Sequence, residues 1–264
     1  MTALTDKIIV EKSDGIGRFI FNRPKKHNAI SFDMWQGISR AMGDFAADDS
    51  VRVVILSGAG EKAFSAGADI SQFAEKRATR EGVEEYERAA LEAHEDLVHI
   101  DKPTIAMIQG YCIGGGAGVA LCCDLRIASE DARFGIPAAR LGLAYRWDDV
   151  YPLVQLVGAS FAKEILFTGR QFTAEEALHM GLVNRVVPRS ELESCVDEYA
   201  ARIASNAPLT IRAAKRTIVE ALKDPADRDL DTVRDLVDAC FASDDYAEGR
   251  KAFMEKRNPE FKGR

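Results

Sequence analysis

The chain has 264 residues, 47% of them hydrophobic and 29% charged, with a formal net charge of -7. That length and balance suit one folded unit, and the acidic excess argues against a nucleic-acid surface, which needs a basic face. No apolar run approaches the roughly 20 residues of a membrane span, so no membrane partner is expected.

In chain order, residues 8–11 and 16–21 read as a hairpin around Ser13-Asp14-Gly15. Ser31 is placed to cap a helix running to about Ala47, with Met34, Ile38, Met42 and Phe45 on its apolar face. Residues 51–58 form a continuous apolar run, the pattern of a strand covered on both faces. Residues 81–100 read as a charged helix, 104–109 as a strand, 115–123 as a helix and 125–128 as a strand. This alternation predicts an α/β fold with parallel strands. Helices are then expected over 147–157, 161–167 and 173–180, the last with a Thr173/Glu176 capping box. A strand at 183–187 follows. Ser190 and Glu193 offer a second capping box, and helices at 210–222, 230–241 and 244–256 complete the chain. The predicted division is an α/β core over residues 1–200 and a helical C-terminal region over 201–264.

The N-terminus lacks a charged, apolar and cleavable leader, which gives a cytoplasmic expectation. Cys112, Cys122, Cys123, Cys195 and Cys240 have no metal-ligand spacing and read as free thiols; no metal site is expected.

Two glycine-punctuated joints carry the chemistry. Ala63-Phe64-Ser65-Ala66-Gly67-Ala68-Asp69-Ile70 follows one strand, and Gly110 with Gly114, Gly115, Gly116 and Gly118 follows another and opens a helix. A P-loop ending and a dinucleotide fingerprint are both absent. Two such joints can aim two backbone N–H groups at one oxygen, as in an oxyanion hole.

Together with Asn22-Arg23-Pro24, Asn28-Ala29, Cys123 to Ala128, Phe134-Gly135, Leu141-Gly142, residues 177–187 and Ala252-Phe253 through Phe261, the joints resemble the enoyl-CoA hydratase/isomerase, or crotonase, superfamily. The resemblance implies a spiral of strand-strand-helix turns, with a helical C-terminal region used in trimerisation. A homotrimer or a dimer of trimers is expected. It implies an acyl-CoA thioester whose oxygen meets the Ala68 and Gly115 N–H groups, with coenzyme A as part of the substrate and no permanently bound cofactor. The Ala66 carbonyl would meet the adenine. Lys26 and, from a neighbouring subunit, Phe253 and Lys256 would meet the rest of the nucleotide.

Hydratases of the family carry two glutamates, at positions that here hold Gly118 and Ala138. Neither exchanges a proton, so ordinary crotonyl-CoA hydration is expected to be weak or absent. Replacement groups are sought in the loop after Gly142. Tyr145 falls where members resembling methylmalonyl-CoA decarboxylases place a tyrosine. Arg146 falls where dienoyl-CoA isomerases and 4-chlorobenzoyl-CoA dehalogenase place an aspartate. Arg146 can pair with an acyl carboxylate, and Trp147 can wall the pocket. Asp148 and Asp149 read either as acid-base groups or as acids of a helix first turn, held there by its dipole. Arg140 reads either as an acyl-pocket residue or as the partner of a surface acid. Asp69 reads as structural, and His27 stands near the basic cluster where it can approach a phosphate. His94, His99 and His179 read as helix-face or satisfied core residues. The leading reading is a lyase or isomerase of an unusual acyl-CoA. The alternatives are a malonyl-type decarboxylase and a non-catalytic acyl-CoA-binding protein.

Overall fold

The computed structural model describes residues 5–72 and 79–264; residues 1–4, part of the segment read for a leader, lie outside them. The first two strands, β1 (Ile8–Ser13) and β2 (Ile16–Phe21), form the expected antiparallel hairpin. Helix α1 (Phe32–Ala47) buries Met34, Ile38, Met42 and Phe45. Ser31 does not cap it through its side chain, because the hydroxyl is engaged by Asp33 at 2.5 Å.

From there the chain repeats one unit. Strand β3 (Val53–Gly58) is followed by β4 (Ala63–Ser65) and α2 (Arg80–His99). Next come β5 (Thr104–Ile108), β6 (Tyr111–Ile113) and α3 (Gly115–Cys122). Then follow β7 (Leu125–Ser129), β8 (Arg133–Gly135) and the short α4 (Ala138–Leu141). The first strand of each unit enters one sheet and the second strand enters another. The spiral continues through α5 (Trp147–Thr168), β9 (Phe172–Thr173), α6 (Ala174–His179) and β10 (Arg185–Val187). The larger sheet has the order β1-β2-β3-β5-β7-β10 and is parallel from β2 onward. The smaller has the order β4-β6-β8-β9, and its first three strands are parallel. Its strands escape the sequence pattern because two or three residues are too few to show alternation.

All six residues of β3 are buried, and they divide between two cores. Val54 and Leu56 join the large cluster containing α1, α2 and α3, whereas Val53 and Ile55 pack with Leu192, Val196 and Ala200 of α7 (Leu192–Ser205). Both faces of the sheet are therefore covered, which is why the run is continuous rather than alternating. Helix α7 crosses residue 200 without a break. It starts from a 3₁₀ turn at Arg189–Glu191 and has no side-chain cap, so Ser190 and Glu193 form no capping box. The Thr173/Glu176 box is formed at α6.

Helices α8 (Pro208–Leu222), α9 (Leu230–Ala242) and α10 (Asp244–Glu255) complete the chain. The C-terminal segment folds back on the core, where Arg52 donates to the carbonyls of Ala204 and Phe261 at 3.2 and 2.6 Å. The two helices expected after Trp147 join into α5 across a kink at Gly158, whose φ of 73° interrupts the helical backbone. By length and composition this joined 22-residue helix reaches the range of a membrane span, although no single apolar run in the sequence does. All five cysteines are free, and burial raises the thiol pKa of Cys112, Cys122 and Cys123.

Candidate active site

The two glycine joints occupy equivalent places in successive turns of the spiral. Each follows a strand of the smaller sheet, and β4 pairs in parallel with β6, so the joints leave the sheet side by side. Gly67, at φ 95°, turns the first joint toward the second: a Cβ there would lie 2.7 Å from the Ile113 carbonyl oxygen and 3.1 Å from the Gly115 nitrogen. A Cβ on Gly115 would in turn lie 3.4 Å from the Ala68 nitrogen. The first joint is held by hydrogen bonds on both sides of Ala68. The Ile30 N–H donates to the Gly67 carbonyl at 2.7 Å and the Asp69 N–H to the Ile30 carbonyl at 2.8 Å. The Gly67 N–H is taken by the Ser65 hydroxyl at 3.1 Å. Among the described residues the Ala68 and Gly115 N–H groups meet no acceptor. Gly115 is the first residue of α3, where a helix leaves its N–H groups unpaired.

Both groups line a cleft of about 260 Å³. Its floor is Trp35, buried beneath Gly115 with its Nε1 donating to the Tyr86 hydroxyl at 2.9 Å. Its walls come from Ala66 and Ile70, from the α2 residues Tyr86, Glu87, Leu91 and His94, and from Gly118 and Ala138. The loop after α4 closes it with Leu143, Tyr145 and Arg146, and the first turn of α5 adds Asp148 and Asp149. The lining is mostly apolar with several polar and charged side chains, the ordinary composition of a small-molecule site.

The expected site residues separate into three groups. Ala66, Ala68, Gly115, Tyr145, Arg146, Asp148 and Asp149 line the cleft together. Burial, with Asp149 adding to it, pushes the Tyr145 phenol up to about 12, so its proton stays in place at neutral pH. Arg146 is engaged by Glu87 across the mouth. A second group lies outside the cleft: Arg140 is exposed and packs its stem near Gly169, and Trp147 is 72% exposed and stacks on Tyr151 at 5.1 Å. The third group comprises the residues expected to meet the nucleotide. Lys26 stands 3.5 Å from Asp69, while Phe253 and Lys256, at the end of α10, do not reach the cleft of their own chain. Asp69 is nearly buried against Arg23 at 2.8 Å, a structural ion pair that fixes the first joint.

Sequence reasoning missed the α2 wall, above all Glu87 and His94. Glu87, Leu91 and His94 recur at helical spacing, a signal that shows one face but not what that face meets. Among the described residues no group of three His, Cys, Asp or Glu is arranged to hold a metal.

Two unpaired N–H groups lining one largely apolar cleft are an arrangement that can hold a carbonyl and accept negative charge developing on its oxygen. The chain belongs to the enoyl-CoA hydratase/isomerase family, whose model matches residues 11–264 and whose members act on acyl-CoA thioesters. It is 38% identical over 260 residues to the short-chain-enoyl-CoA hydratase of Clostridium acetobutylicum, covering 98% of this chain and 99% of that one. It is 34% identical over 265 residues to a carnitinyl-CoA dehydratase of Salmonella paratyphi A, covering 99% and 100%. The crystal structure of an enoyl-CoA hydratase/carnithine racemase from Magnetospirillum magneticum superposes with a TM-score of 0.91 at 36% identity, over 98% of this chain and 97% of that one. The strand-strand-helix spiral is thus the family fold.

Proposed function

We propose that this protein is a lyase or isomerase that transforms an acyl-CoA thioester through an enolate held by the Ala68 and Gly115 N–H groups. The observation that carries the reading is the convergence of these two unpaired donors on one cleft. Their charge stabilisation is worth most as the thioester oxygen becomes an oxyanion, so they favour any reaction that draws a proton or a group from the α-carbon. Relatives named hydratase and dehydratase support a reaction of this kind.

The acid-base groups are not the usual ones of the family. Gly118 and Ala138 line the cleft, and neither has a side chain that exchanges a proton; the resemblance assigns to these positions the glutamates of the family's hydratases. Tyr145, protonated at working pH, is suited to donate a hydrogen bond or a proton, and Asp148 lies exposed at the mouth. The nucleotide end follows the family: the Ala66 carbonyl toward adenine, Lys26 toward phosphate, and a neighbouring subunit's Phe253 and Lys256 completing it in a trimer or dimer of trimers. The pairing of Arg146 with Glu87 weighs against a decarboxylase that would need a free guanidinium for an acyl carboxylate.

The test is a panel of acyl-CoA thioesters, branched, cyclic and carboxylated, assayed for binding and turnover. Turnover of at least one, reduced in Tyr145→Phe or Asp148→Asn with binding kept, is the expected result. Binding across the panel with no turnover favours a non-catalytic acyl-CoA-binding protein. Crotonyl-CoA hydration at a rate ordinary for the family defeats the claim that Gly118 and Ala138 disable the standard route.

A further inference from the structure

Helix α3 carries the Gly115 donor, and its cleft face has no side chain at either Gly115 or Gly118, three residues apart. Two aromatic rings rest directly on that bare backbone. A Cβ on Gly115 would lie 3.3 Å from Cζ2 and 3.6 Å from Cη2 of Trp35, and a Cβ on Gly118 would lie 3.3 Å from Cε1 of His94. The two rings meet edge to face with centroids 5.4 Å apart. The Cβ point on Gly115 is also 3.4 Å from the Ala68 nitrogen, so the indole edge lies beside both members of the donor pair.

Trp35 is held from behind. It is buried, and its Nε1–H donates at 2.9 Å to the hydroxyl of Tyr86, which is buried as well. That hydroxyl stands 3.4 Å from the Ile30 carbonyl, a longer second contact to an oxygen that already accepts the Asp69 N–H at 2.8 Å. Ile30 pairs in parallel with Ala68, and its own N–H donates to the Gly67 carbonyl at 2.7 Å. One buried path therefore runs from Gly115 through Trp35, Tyr86 and Ile30 to the backbone on either side of Ala68.

We propose that Trp35 and Tyr86 are positioning residues that couple the two donors of the thioester site. The proposal rests on the thioester reading above and adds what keeps its donors at one spacing. A donor stabilises an oxyanion best when it is aimed before the charge develops, and a misplacement of about 1 Å costs about 10²-fold in rate. The glycines of the two joints do not supply that rigidity, because glycine backbone is the most conformationally free. A buried indole whose N–H is satisfied has a fixed orientation, so the surface it offers to Gly115 is fixed too. A looser ring at position 35 would let the first turn of α3 shift relative to Ala68. Neither residue takes a proton from the substrate; both act through the backbone they support.

The test uses the full chain with butyryl-CoA carrying carbon-13 at its thioester carbonyl, following binding by calorimetry and the carbonyl stretch by difference infrared spectroscopy. Donors that polarise the carbonyl lower its stretching frequency, so wild type is expected to bind and to shift the band down. Tyr86→Phe keeps the ring and removes the hydroxyl. It is expected to bind within about threefold of wild type while losing about half of the band shift or more. The double variant Trp35→Phe/Tyr86→Phe is expected to lose no more than Trp35→Phe alone, because both residues act through one contact. Nitrogen-15 spectra of the indole groups, assigned with Trp147→Phe at the surface, should show the Trp35 signal moving when butyryl-CoA saturates the protein. That readout does not depend on a substitution in the core. A full wild-type band shift in Tyr86→Phe overturns the coupling, as do additive losses in the double variant or a Trp35 signal that binding leaves in place. A wild type that does not bind, or binds with an unshifted carbonyl, overturns the thioester reading instead.

Discussion

Gly67 and Gly115 meet backbone to backbone, so closely that a Cβ on the first would lie 3.1 Å from the nitrogen of the second. This contact, made possible by the φ of 95° at Gly67, brings the Ala68 and Gly115 nitrogens close together in one cleft. Gly67→Ala must either leave this conformation or push the joints apart, because its methyl would also press on the Ile113 carbonyl at 2.7 Å. The expected outcome is a loss of about 10²–10³-fold in acyl-CoA turnover. A cost of about 1–3 kcal/mol in denaturant unfolding should accompany it. An alanine variant with unchanged turnover would show that the two joints need not touch.

The Arg23–Asp69 pair fixes the same joint from behind. Burial alone would raise the Asp69 carboxyl, but hydrogen bonds from Ser71 and the Arg23 guanidinium overcome it and hold the group down at about 2. A depressed carboxyl contributes stability that is complete above its ordinary value of 3.8 and is lost as the pH falls through about 2. Asp69→Ala leaves a largely buried guanidinium without its partner and is expected to cost about 3 kcal/mol at pH 7. Chemical unfolding at pH 7 and at pH 2 should show the wild type and the variant converging in acid. A constant gap across that range would be inconsistent with the pair as its source.

At the mouth of the cleft, Arg146 and Glu87 form a pair that is largely exposed on the arginine side. Its contribution to folding is therefore small, under about 1 kcal/mol. Arg146→Ala is expected to leave the unfolding midpoint nearly unchanged and to alter neutral and carboxylated acyl-CoA kinetics alike, because the guanidinium is already occupied. A selective loss for carboxylated thioesters, read as kcat/KM ratios, would show instead that Arg146 releases Glu87 to bind substrate.

The parts of the site that can be read from the sequence are those set by local backbone chemistry. Gly67 and the glycines from 114 to 116 declare joints wherever they occur, and the apolar run at β3 declares a doubly covered strand. The three-residue strands β4, β6 and β8 carry no period, yet they are what place the joints side by side. His94 is the sharper case. A histidine on an amphipathic helix reads as a core or surface residue until α2 is packed on α3, and only then does the absence of a side chain at Gly118 make room for its ring. Trp147 is the opposite case: the loop composition is that of a site, but the start of α5 turns Trp147 onto Tyr151 and away from the cleft.

The C-terminal helices make the last prediction. In a single chain α9 has no buried residue, and Phe241, Phe253 and Met254 are 62%, 83% and 80% exposed. Apolar surface of that extent is rarely left to water. Light scattering is expected to give three or six times the 29.0 kDa of one chain, and Phe253→Asp is expected to lower that mass. If a neighbour's Phe253 and Lys256 complete the nucleotide end, Lys256→Glu should weaken binding of an acyl-CoA while sparing the matching acyl-pantetheine, which lacks the nucleotide. The comparison separates two roles: equal weakening of both ligands would mean that Lys256 acts only through assembly, and weakening of the CoA ligand alone places its charge beside the phosphates.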